Sequence, residues 1–184
     1  RPCRLRVCLI RKREMMIRFK VHTLSTVAFA IFLTASLGQA EAARQPNILI
    51  VIADDLNKDS VGVYGNKDVK TPNIDRLASQ GMRFNMAYTS TAMCAPTRQQ
   101  MYTGLYPVRS GAYPNHSKVK PGTKSLVHYL KALGYRVGLS GKRHFGPPSS
   151  FPFEQVSRKV DAKAIREFVT RDEKQPFCLL VTSN

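Results

Sequence analysis

Asn47-Ile48-Leu49-Ile50-Val51-Ile52-Ala53-Asp54-Asp55 is a continuous apolar, largely β-branched run that ends in two acids. It is too short for a helix and its apolar positions do not alternate. That pattern predicts a strand over 47–53 that is buried on both faces, as at the centre of a parallel sheet. Open α/β sheets place ligands beyond the carboxyl ends of their strands, which is where Asp54 and Asp55 fall. Adjacent carboxylates repel unless a cation lies between them, and hard oxygen donors suit Ca2+ or Mg2+. For the pair taken alone, a solvated strand-to-loop turn is the plainer reading.

Beyond this run, strands and helices alternate. Residues 61–65 read as a loop. Thr71 to Gly81 reads as a helix with Thr71 as N-cap, Pro72 at its first position, Ile74, Leu77 and Ala78 on one face, and Gly81 after its end. Residues 82–88 alternate apolar and polar, which predicts a half-exposed strand. A polar loop follows over 105–123 and includes His116, read as solvated. Leu126, Tyr129, Leu130 and Leu133 mark an amphipathic helix closed by Gly134, with His128 on its surface. A strand at 135–140, an irregular stretch at 146–154, a helix at 161–170 and a buried strand at 177–182 complete the chain. The expected class is α/β, with a mainly parallel central sheet flanked by helices.

Two further stretches carry chemistry. In Cys94-Ala95-Pro96-Thr97-Arg98, Pro96 suits the first turn of a helix that runs toward Gly104. Cys94 then stands at the helix N-terminus, where free N–H groups favour an anion. Arg98, one turn in, can point back toward it. In Gly141-Lys142-Arg143-His144 the motif again follows a strand. In an extended loop Lys142 and His144 would point to the same side. Taken alone, these two stretches read as a buried free cysteine and a basic loop.

Taken together, C-x-P-x-R with its Thr103-Gly104 flank, the apolar strand before Asp54-Asp55, T-P-N-I-D-R-L-A-x-x-G at 71–81 and G-K-x-H at 141–144 resemble the type I sulfatases. The resemblance covers nearly all of 46–184 and implies an alkaline-phosphatase-like sulfatase domain of which this chain is the N-terminal part. It also implies that Cys94 is oxidised to formylglycine by a formylglycine-generating enzyme. The hydrated aldehyde attacks the sulfur of a sulfate ester and later expels sulfate as the carbonyl re-forms, so that covalent catalysis proceeds in two easier steps. Asp54, Asp55 and the modified Cys94 would surround a divalent metal, Ca2+ ahead of Mg2+. Arg98, Lys142 and His144 would stabilise the nucleophile and the developing charge. Residues 141–153 look more like the N-sulfoglucosamine sulfohydrolase branch than a generic arylsulfatase. The implied partners are a sulfated small molecule or glycan. Rival readings are a phosphonate or phosphate monoester hydrolase with the same nucleophile, and a non-catalytic relative that binds sulfated glycans.

Residues 16–42 read as a signal peptide, with Arg18 and Lys20, an apolar run over 24–37 and Ala40-Glu41-Ala42 as its cleavage site. Residues 1–15 read as an upstream extension outside the native protein, and 43–184 as the first part of the catalytic domain. Export to the periplasm or exterior is implied, or to a lumen or lysosome in a eukaryote, with no stable membrane association after cleavage. The net charge is +17. Residues 1–42 hold eight of the 29 Lys and Arg and two of the 12 Asp and Glu, which leaves +11 on 43–184. That balance suits an anionic substrate. The basic residues there are scattered without a nucleic-acid motif, so no nucleic-acid partner is expected. Cys178 reads as core, although a disulfide to Cys94 would compete with oxidation of that residue.

Overall fold

A computed structural model describes residues 45–183. The upstream extension and signal peptide read from the sequence lie outside the described residues. Four strands form one sheet in the order β1-β4-β2-β3: β1 (Ile48–Ile52), β2 (Arg136–Gly141), β3 (Glu154–Ser157) and β4 (Phe177–Thr182). All three pairings are parallel, with Ile52 opposite Thr182 and Gly141 opposite Thr182. The helices are α1 (Pro72–Gln80), α2 (Cys94–Thr103), α3 (Pro107–Ser110), α4 (Leu126–Ala132) and α5 (Ala162–Thr170).

One face of the sheet forms the core. Val137, Leu139, Cys178 and Leu180 pack there with Tyr102 of α2, Val127 of α4, Phe151 and Phe153, and Ile48, Ile50 and Ile52 join them. On the opposite face α5 covers the β2–β3 side. A Cβ added at Gly138 would lie 2.7 Å from the Phe168 ring. Only a glycine lets that helix approach so closely.

β1 departs from the central, doubly buried strand expected. Among the described residues it pairs with β4 alone, and Leu49 and Val51 remain 60% and 69% exposed on the face that α5 leaves uncovered. A continuous apolar run states that both faces could be buried. It does not state which neighbours bury them.

Residues 82–88 form no strand. Their carbonyls take side-chain donors in place of a ladder: Tyr64 Oη donates to Phe84 O and Lys58 Nζ to Asn85 O. Residues 61–65 contain a 3-10 turn rather than plain loop. α1 buries no residue, and Leu77 on its apolar stripe is 72% exposed. Thr71 is the N-cap residue of α1 as expected, but its side chain bonds no backbone N–H of the helix. Its hydroxyl donates to Asp75 Oδ1 and accepts from Gly62 N, and Gly81 is extended, not left-handed.

The helix over 126–132 is as expected, and Leu126 and Leu130 pack on the core, but Val127 is its fully buried residue and Tyr129 and Leu133 are exposed. His128 is a capping residue: Ser125 N donates to its Nδ1 at 3.2 Å. The 105–123 stretch includes α3 and buries Ala112 and Val119. β3 begins within the stretch read as irregular. The helix at 161–170 and the strand at 177–182 lie where expected, with Asp161 accepting from Lys163 N and Ala164 N as N-cap. No helix among the described residues is long and apolar enough to cross a membrane.

Candidate active site

The three strand ends that meet at Thr182 build the site. Ser183 N donates to Ile52 O, and the Ser183 hydroxyl accepts from Asp54 N at 3.0 Å, which holds the turn after β1. Across β4, Thr182 Oγ1 donates to Lys142 O at 2.7 Å and Lys142 N donates to Thr182 O. Gly141 makes this contact possible. Its φ is +102°, and a Cβ there would lie 1.9 Å from Thr182 O. Glycine alone adopts such a conformation without strain.

α2 delivers the third component. Met93 is extended ahead of it and accepts from Thr97 N, so Cys94 opens the helix. Gly104 closes it in the left-handed region. Arg98, one turn in, is 2% exposed. Its Nη2 donates to Asp54 Oδ1 at 2.9 Å and its Nη1 to Lys142 O at 3.3 Å. Arg98 thus holds Asp54 and the 142 backbone. Lys142 Nζ bonds the other Asp54 oxygen. The Lys142 ammonium, joined by Arg98, holds the Asp54 carboxyl below its usual range against the opposing effect of burial.

Asp54, Asp55, Cys94, Thr97, Arg98 and Asn115 line one cavity of about 550 Å3. Asp55 has φ +53° and is exposed. Cys94 is partly exposed, and its thiol donates to Asn115 Oδ1 at 3.8 Å. Cys178 is fully buried in β4, and burial pushes its thiol up to about 11. Both cysteines are free, so the competing disulfide is not formed.

Lys142 and His144 do not point the same way. His144 has φ +48°, which breaks the extended alternation that would align them. Lys142 turns to Asp54, whereas His144 Nε2 lies 2.8 Å from His116 Nδ1, with ring centroids 4.7 Å apart. The second nitrogen of His144 is buried without a partner among the described residues. Burial first, then the charges of His116, Lys142 and Arg98, lower the pKa of His144, with Asp54 opposing.

Sequence reasoning missed three residues: Asn115, His116 and Gln99. The first two sit in a loop whose polarity reads as solvated. The available signal is that Asn and His tolerate positive φ, and His116 has φ +64°. Gln99 directly follows the motif arginine and is fully buried.

Asp54 and Asp55 offer hard carboxylate oxygens on one wall, a donor chemistry that fits Ca2+ or Mg2+. Among the described residues no group of three or more His, Cys, Asp or Glu converges for a metal. Those carboxylates would therefore fill a minority of the roughly six to eight positions such an ion takes.

Residues 46–181 match the family model described as sulfatase. The ulvan-active sulfatase of Formosa agariphila is 36% identical over 150 residues, which span 77% of this chain and 30% of that protein. The N-sulphoglucosamine sulphohydrolase of Homo sapiens is 33% identical over 157 residues, 76% of this chain and 31% of that protein. The chain thus spans about a third of the length of these curated relatives. Their identities are similar, so they show family rather than branch. The solved structure of BT4656, in complex with its substrate D-glucosamine-2-N,6-O-disulfate, superposes with a TM-score of 0.66 at 24% identity. It covers 75% of this chain and 34% of that one, and carries the fold alone.

Proposed function

The chain belongs to the sulfatase family, and from that premise we propose that its parent enzyme hydrolyses a sulfate ester or sulfamate at the cavity headed by Cys94. Cys94 is the nucleophile after its oxidation to formylglycine by a formylglycine-generating enzyme. Asp54, Asp55 and the modified Cys94 would hold a divalent cation, Ca2+ ahead of Mg2+, which when bound supplies Lewis-acid polarisation of a sulfate oxygen. Arg98 fixes Asp54 and the backbone of the 142 loop, and its buried guanidinium sets a positive potential at the cavity head. Lys142 offers an ammonium beside Asp54 for a sulfate oxygen. His144, whose charged form is disfavoured by burial and by the charges beside it, is placed in the role of accepting a proton from the nucleophile. These residues are the opening part of a larger site, in keeping with the share of the relatives' length that the chain spans.

One observation carries this reading. Four of the six motif residues, from segments forty residues apart in sequence, line a single cavity, and a fifth, Lys142, bonds one of them. The substrate class proposed is a sulfated small molecule or glycan, in keeping with relatives named as an ulvan-active sulfatase and an N-sulphoglucosamine sulphohydrolase. The signal-like segment supports action outside the cytoplasm, in the periplasm or exterior, or in a lysosome of a eukaryotic host. The test joins mass spectrometry of the Cys94 peptide with turnover of 4-nitrophenyl sulfate by the complete gene product, made alongside a formylglycine-generating enzyme. An aldehyde at Cys94, with turnover abolished in Cys94→Ala, is expected. An intact thiol in that host would refute the proposal. Preferential turnover of a phosphonate ester would move the protein to the neighbouring hydrolase class.

A further inference from the structure

We propose that His116 is a positioning residue that fixes the ring of His144, and that Gln99 fixes His116 in turn. The inference rests on the proposed role of His144. Among the described residues, the His144 ring has one hydrogen-bond partner, and that partner is His116 Nδ1 at 2.8 Å. One proton serves this bond, so the pair sets which nitrogen of each ring carries it. A ring held in this way presents its remaining nitrogen in a single tautomer and orientation. A free ring would sample both.

The loop that bears His116 is pinned where it matters. Asn115 Oδ1 accepts from His116 N at 3.1 Å and from the Cys94 thiol, which links the nucleophile position to the histidine backbone. On the other side Gln99 Nε2 donates to Ser117 O at 3.0 Å. Gln99 Oε1 accepts both Val119 N at 3.1 Å and Gly146 N at 3.3 Å. A single buried amide on the Cys94 helix therefore clamps the loop just after His116 to the loop just after His144. A direct bond from Val119 N to Gly146 O reinforces the clamp. These are the connections expected of a device that sets distance between two rings.

The geometry gives a test that a merely structural histidine would fail to mirror. His116 uses Nδ1, which lies two bonds from Cβ, the position that an Asn side-chain amide also occupies. Gln places its amide one bond further out. His116→Asn also keeps a residue tolerant of the positive φ. In the complete enzyme, kcat for a sulfate ester is expected to fall by about tenfold or more in His116→Ala and His116→Gln, with KM little changed, and to be largely restored in His116→Asn. Imidazole 15N–1H spectra of the same proteins should show His144 in one bonded tautomer in the wild type and in His116→Asn. In His116→Ala they should show it averaged between tautomers. Gln99→Met should loosen the pair in the same spectrum. An averaged His144 in the wild type would overturn the proposal, as would unchanged kcat in a folded His116→Ala. A bonded pair in a protein with no sulfate-ester turnover would support the ring assignment while refuting the sulfatase reading, so the two failures are distinguishable.

Discussion

Gln99→Met removes the clamp while keeping side-chain length and an apolar stem, so its cost can be worked out bond by bond. The Gln99 amide fills four hydrogen bonds, to Ala95 O, Ser117 O, Val119 N and Gly146 N. Two of these partners are insured. Ala95 O lies in the α2 ladder, where the i+4 N–H already faces it. Val119 N also donates to Gly146 O at 3.0 Å. The other two, Ser117 O and Gly146 N, have no second partner among the described residues. A buried polar group left unpaired costs about 1–3 kcal/mol, so the pair gives about 2–6 kcal/mol. Ser117 is only partly buried, so water can reach its carbonyl, which brings the expectation to about 2–4 kcal/mol. Urea unfolding of wild type and variant, read by tryptophan-independent circular dichroism because the sequence holds no Trp within 1–184, measures the difference. A loss below about 1 kcal/mol would refute the accounting, because it would mean that neither group depends on the amide.

Two further outcomes follow from the strand ends and the histidine pair. Gly141→Ala puts a methyl 1.9 Å from Thr182 O at φ +102°, so β2 and β4 must separate; soluble yield should collapse, and a wild-type unfolding midpoint would refute the contact. His144 has a folded pKa below its unfolded value, so the unfolded state takes up its proton first as pH falls; stability should decline from about pH 6.5 downward to the lowered pKa, and the pH slope of the urea midpoint should shrink in His144→Gln. A steeper slope in that variant would reverse the sign and sink the assignment.

How much of this was legible beforehand differs by element, and the differences have physical causes. β4 and α5 were readable because they follow from local patterning: an apolar run in one case, apolar residues at helical spacing in the other. β1 was readable as a strand but not in its place, since sheet order depends on contacts far away in sequence. Residues 82–88 show an alternating pattern that suits a strand, yet Lys58 and Tyr64 occupy the carbonyls that a ladder would use. Within the site, the chemistry-bearing residues Asp54, Asp55, Cys94, Arg98, Lys142 and His144 stood in motifs. Which of them pair, and with what, was not legible. Ion pairing of Arg98 with Asp54 and the turn of His144 toward His116 arise from backbone details, a buried guanidinium and a positive φ, that no spacing announces.

Those details share one origin, the register of β4. Ile52 and Gly141 both stand opposite Thr182, so Asp54 and Lys142, 88 residues apart, emerge on either side of the same strand end. Thr182 and Ser183 then act as a spacer, one hydroxyl donating to Lys142 O and the other accepting from Asp54 N. A slip of β4 by one residue would send Thr182 to the opposite face and exchange the two hydroxyls. Asp54 would lose its turn bond and Lys142 its carbonyl partner in the same event. The carboxylate and the ammonium are therefore placed side by side by strand pairing as well as by their mutual attraction. Arg98 reaches Asp54 from a separate element, the helix that carries Cys94, and so ties α2 to the same strand end.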